Sequence, residues 1–97
     1  MTCPPELATI LLDLIETAAL RIRAAGWRGD AAACANEADH VHNLLALLRD
    51  YSIDRLQYYW SAEKPSYLAS GGELRAFESI WADLHRWMEQ EAVSAVG

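Results

Sequence analysis

Residues 30–51 read DAAACANEADHVHNLLALLRDY, and the periodicity of this stretch decides the fold. Apolar residues recur every three or four positions rather than every second one, which is the signature of a helix with one inward face. Asp30 is a good N-cap residue, and the spacing predicts a helix from Ala31 to about Tyr51. Its inner stripe is expected to be Cys34, Ala38, Val41, Leu44, Leu45 and Leu48. On a helical wheel with Val41 at zero, Glu37 falls at about −40° and His40 at about −100°. A carboxylate is therefore expected inside the stripe, with an imidazole one turn along on its flank.

Outward from this rod, Pro5 to Ala25 carries the same period. Pro4 and Pro5 suit a first turn, and Glu6 complements the positive end of the helix dipole. Leu7, Ile10, Leu11, Leu14, Ile15, Ala18 and Ile22 form the expected stripe, and Gly26 the expected left-handed cap. The link Gly26-Trp27-Arg28-Gly29 is short, so the two helices are expected to pack antiparallel. Ser52 reads as another N-cap, opening a short helix from Ile53 to Lys64 that Pro65 should stop. Pro65 to Gly72 is expected as loop. A last helix, from about Glu73 to Val93, has the stripe Leu74, Phe77, Ile80, Trp81, Leu84, Trp87 and Met88. The expected architecture is all-α: one domain over residues 1–97, an up-down-up bundle of three long helices with a short aromatic helix between the second and last.

Composition agrees with a folded chain of this size. The 97 residues are 53% hydrophobic and 23% charged, which favours a core over disorder. Eight basic against fourteen acidic residues leave a net charge of −6, which argues against a nucleic-acid binder. Residues 70–97, with five acidic and two basic side chains, hold half of that charge. Asp13, Glu16, Arg21 and Arg23 break the N-terminal apolar stretch, so no membrane span is expected. Met1 to Glu6 lacks the basic start of a secretory signal. Cys3 and Cys34 are expected at opposite ends of the bundle, too far apart for a disulfide. A reducing, cytoplasmic setting follows as the expectation.

The functional candidates are polar residues that interrupt the apolar pattern, and aromatics in excess of core needs. Leu7, Leu14 and Arg21 are spaced by sevens, so Arg21 continues the inner seam and should lie level with Glu37. An Arg21–Glu37 ion pair fixing helix register is the structural reading. Glu37→Ala is then expected to cost about 3–5 kcal/mol, and the double replacement less. The alternative is a metal-assisted or acid–base enzyme built on the Glu37-x-x-His40 pair, with His85 supplied by the last helix. Ferritin-like bundles use that spacing twice; here it occurs once. Glu73 and Glu91 lie near the inner edge of the last helix and complete the ligand candidates. His40 and His42 also admit a pH-switch role. No nucleophile elbow, reactive-cysteine pattern or phosphate loop occurs, and no cofactor is implied.

Five of nine aromatics fall between Tyr51 and Tyr67. Tyr58, Tyr59, Trp60 and Tyr67, with Trp27 at the hairpin, are candidates for a surface that takes a protein partner or a second copy of the chain. Tyr58 is expected to be the exposed member of the short helix. The leading functional expectation is thus a small helical interaction or regulatory module, self-associating or bound to another protein, with no nucleic-acid or membrane partner.

Overall fold

The computed structural model describes the backbone of residues 2–96 and the side chains of residues 2–93. It is all-helical, with no strand among the described residues. The elements are α1 (Pro5–Trp27), α2 (Ala31–Arg49), α3 (Ile53–Tyr58), a π-helical turn (Tyr59–Glu63), α4 (Lys64–Ala69) and α5 (Leu74–Val96). No helix among the described residues is long and apolar enough to cross a membrane.

The α1–α2 hairpin is tied by its own backbone. Asp30 N–H donates to Ala25 O at 2.9 Å and Gly29 N–H to Gly26 O at 3.1 Å, the paired bonds of a Schellman cap. The residue in the left-handed region is Gly29, with φ of 70°. The expected cap at Gly26 is therefore corrected: α1 continues through Gly26 to Trp27, because the hairpin needs positive φ only at the turn itself. Asp30 then opens α2, its side chain accepting from Ala33 N–H at 3.0 Å. Ser52 does the same for α3, accepting from Arg55 N–H at 3.1 Å.

Pro65 does not end the third helical segment. Lys64 N–H bonds to Tyr59 O, five residues back, so the backbone widens by one residue just before the proline. A proline ring normally collides with the carbonyl four residues earlier and lacks an N–H to donate. The wide turn relieves that conflict, and α4 runs on to Ala69. The expected loop over Pro65–Gly72 shrinks to residues 70–73. A second Schellman cap closes it, with Gly72 N–H on Tyr67 O at 2.9 Å and Gly71 at φ of 105°.

The core joins Leu7, Leu11, Leu14 and Ala18 of α1 to Leu44 and Leu47 of α2, Leu56 of α3 and Phe77, Trp81, Leu84 and Trp87 of α5. Tyr59 and Tyr67 complete it from the π turn and α4. Burying each such leucine contributes about 1.5–3 kcal/mol. On α5 the expected stripe is buried at Phe77, Trp81, Leu84 and Trp87, while Ile80 and Met88 are half-buried against it and Leu74 stands half in solvent at the helix start.

On α2 the phase is different. The buried residues are Glu37, His40, Leu44 and Leu47, with Tyr51 beyond the helix end. That line is rotated by roughly 80° from the expected one on a 100° wheel. Cys34, Val41, Leu45 and Leu48 are only half-buried, and Ala38 is exposed. The cause is a second covering layer: the π turn and α4 pack on α2, so the side of α2 that carries Glu37 and His40 is roofed by aromatic rings.

Candidate functional site

Glu37 is 2% exposed and His40 1% exposed, the two buried polar residues of the described core. α2 sets them one turn apart, and four other elements reach them. From α1, Arg21 Nε donates to Glu37 Oε1 at 2.7 Å. From α4, Tyr67 O–H donates to the same oxygen at 2.6 Å. Arg21 Nη1 also reaches Glu73 Oε2 at 2.9 Å, just before α5 begins, so one guanidinium bridges two carboxylates. Partial burial works against the charge on Arg21, but Glu37 and Tyr67 outweigh it and hold the group protonated. Burial first, and then the Glu37 carboxylate, push the Tyr67 hydroxyl up to about 12, so it remains a donor.

The imidazole lies in an aromatic box. Its ring stacks on Tyr67 at 4.2 Å and on Tyr59 at 5.8 Å, with Phe77 edge-on at 5.2 Å. Tyr59 Oη and His40 Nε2 are 2.7 Å apart, and Trp81 Nε1–H donates to Tyr59 Oη at 3.0 Å. Indole is a donor only, so Tyr59 Oη accepts from Trp81 and has its own hydrogen left to give. The acceptor for it is His40 Nε2. Neutral His40 then carries its proton on Nδ1, because the other tautomer would leave two buried groups, the Tyr59 hydroxyl hydrogen and Nδ1, without a partner instead of one. Burial pushes its pKa down to about 4, so the ring is neutral near pH 7. Burial likewise raises Tyr59.

Sequence reasoning placed Arg21, Glu37 and His40 inside, and the structure brings Arg21 and Glu37 together. Arg21 is the least enclosed, its side chain about a quarter exposed. His85 does not join them. It lies in the open, stacked on Trp60 at 5.4 Å and 3.5 Å from Glu89. Among the described residues no three His, Cys, Asp or Glu side chains form a set that could hold a metal ion. Glu37 and His40 also open on different pockets: Glu37 with Arg21, Arg28 and Thr17, and His40 with Asp39, Asn43 and Glu63. Cys3 and Cys34 are free.

The aromatic candidates divide. Tyr59 is fully buried and Tyr67 is 4% exposed, so neither lines a surface. Their hydroxyls pair Glu37 Oε1 and His40 Nε2, a role the sequence reading missed, while Glu37 Oε2 and His40 Nδ1 have no partner among the described residues. The available signal was the preference for tyrosine over phenylalanine beside two inward polar groups: each buried polar atom needs a partner. Trp60 is half-buried, covered by Lys64 Nζ at 3.8 Å from its ring centre and by His85. Tyr58 and Trp27 are the exposed members.

Gly72 belongs to the same construction. A Cβ at this position would overlap the Tyr67 ring. Tyr67 cannot retreat without giving up Glu37, so Gly72→Ala is expected to cost about 1–3 kcal/mol in urea denaturation. A neutral result would mean that Tyr67 is held more loosely than these bonds imply.

No family model matches the sequence, and no curated protein or solved structure matches it.

Proposed function

We propose that the chain is a small helical interaction or regulatory module, not a catalyst, and that its contact surface is the outer face of α1. The observation that carries this reading is Trp27, 80% exposed at the hairpin, two turns along α1 from Leu20 at 59%, with Leu12 at 52% two turns further back. At 100° per residue these three fall within about 80° of one another on the side of α1 away from the core, with the exposed charges of Glu16 and Arg23 between them. Arg23 lies over the Trp27 ring at 5.0 Å, which steadies the indole in its exposed position. Large rigid aromatics flanked by arginine are the residues that dominate protein contacts. Tyr58, 60% exposed, offers a further contact on α3.

The polar core favours this reading over acid–base chemistry. Glu37 Oε1 is taken by Arg21 and Tyr67, His40 Nε2 by Tyr59, and the two residues face different pockets. On this reading the three long helices run up-down-up, clamped by the aromatic segment, and the module acts in the cytoplasm on a protein partner or on a second copy of itself. Self-association is the form tested directly. Sedimentation and native mass spectrometry of the wild type should show a homo-oligomer. Trp27→Ser with Leu20→Gln should weaken it about tenfold or more, with the circular dichroism of the fold unchanged because both side chains project largely into solvent. A wild-type monomer at every concentration, or an oligomer indifferent to the double change, defeats self-association through the α1 surface.

A further inference from the structure

Two pockets between α2 and the π turn with α4 share Asn43, Glu63 and Ser66, and so form one groove. The first measures about 240 Å³ and the second about 300 Å³. A water takes about 30 Å³ of the liquid, so the first alone is several times larger than a single structural water needs.

The groove is polar and unevenly satisfied. His40 and Glu63 both line it, and each has a buried atom without a hydrogen-bond partner among the described residues: His40 Nδ1 and Glu63 Oε2. The bond from Tyr59 makes His40 Nδ1 a donor, and Glu63 Oε2 is an acceptor. Both atoms are shielded from solvent in this conformation. Buried polar atoms are rarely left unpaired, so the donor and the acceptor behind the wall of one groove ask for a guest that supplies both as side chains part to admit it. Asn36 gives its Nδ2 to Tyr67 O at 3.1 Å, which leaves its side-chain oxygen for the groove. Glu63 comes from the π turn, and such turns recur at functional sites.

The charge pattern selects the class of guest. Asp39 and Glu63 line the groove with no Lys or Arg among its described lining residues, so an anion is repelled. A simple cation gives Glu63 a partner but meets the His40 N–H with nothing to accept it. A hydroxyl group both donates and accepts. Tyr58 lines the outer pocket and adds an aromatic face for the C–H side of a ring. We propose that this groove binds a small neutral polyhydroxylated ring, a sugar or cyclic polyol, with Glu63 accepting from one hydroxyl and His40 Nδ1–H donating to another. The site is independent of the α1 surface.

The test uses the full chain labelled with ¹⁵N and two probes, myo-inositol and glucose, with putrescine and glutarate as charged controls. Long-range ¹⁵N–¹H spectra should show His40 protonated at Nδ1 before any addition. One of the neutral probes should give saturable shifts at His40 and at the amides of Asn43, Glu63 and Ser66. Glu63→Leu and, separately, Asn43→Ala should weaken that binding at least tenfold with unchanged circular dichroism. A proton on Nε2, the absence of saturable shifts, saturation by putrescine or glutarate alone, or affinity indifferent to both replacements overturns the proposal.

Discussion

Arg21→Met is expected to lower the free energy of unfolding by about 3–5 kcal/mol, the largest single effect among the polar core residues. The guanidinium removed is, among the described residues, the cation bonded to a carboxylate that is 2% exposed. What remains to Glu37 is the hydroxyl of Tyr67 at 2.6 Å, enough for one lone pair but not for a charge. Glu37→Ala is expected at the low end of the same range. The stranded partner, Arg21, is about a quarter exposed and keeps Glu73 at 2.9 Å. Replacing both residues should cost clearly less than the two single losses combined, because neither charge is then left alone. Domains of this length hold about 5–15 kcal/mol in total, so the single change removes a large share. Urea denaturation of the wild type, both single variants and the double variant decides it. Strictly additive losses would mean that the two groups do not act as a pair.

His40 predicts a second large effect, read against pH. Burial holds its pKa at about 4, against an ordinary value of 6.5. Between those values the unfolded chain takes up a proton that the folded chain refuses. Stability therefore rises with pH across this window, is complete above about 6.5, and is lost as pH falls toward 4. The shift corresponds to roughly 3 kcal/mol. The residues packed on the ring are Tyr59, Tyr67, Phe77 and Trp81, none of which carries a charge to offset the proton. His40→Gln keeps an acceptor for Tyr59 O–H but does not titrate. Its stability should be lower at pH 7 yet flatter between pH 7 and 4. Carboxylates elsewhere titrate in both proteins, so the difference between the two curves isolates the imidazole. An identical slope in His40→Gln would remove His40 as the cause.

The two predictions rest on residues that the sequence singled out to different degrees. Glu37 and Arg21 were legible because each stands where its helix repeats an apolar position, and a buried charge calls for an opposite one. His40 was legible only as a flanking residue, since the α2 stripe was phased on its aliphatic side chains. The chain in fact turns the Glu37–His40 line inward. A wheel shows which residues share a face; it does not show how many neighbours will cover that face. Tyr59 and Tyr67 were misplaced on a surface for the same reason, because their partners come from residues 19 to 30 positions away.

The sequence by itself determined the helices, their caps at Asp30 and Ser52, and the presence of an inward carboxylate with a guanidinium level with it. These are local properties, set by residue spacing and by side chains bonding their own backbone within four residues. The tertiary structure alone decided that helical geometry continues past Pro65 through a π turn, that α2 rotates its polar line under an aromatic roof, and that Glu63 and His40 line one groove. Each of these follows from packing between segments distant in the chain, where the gain from burying Tyr59, Tyr67 and Trp81 together outweighs what the local pattern prefers.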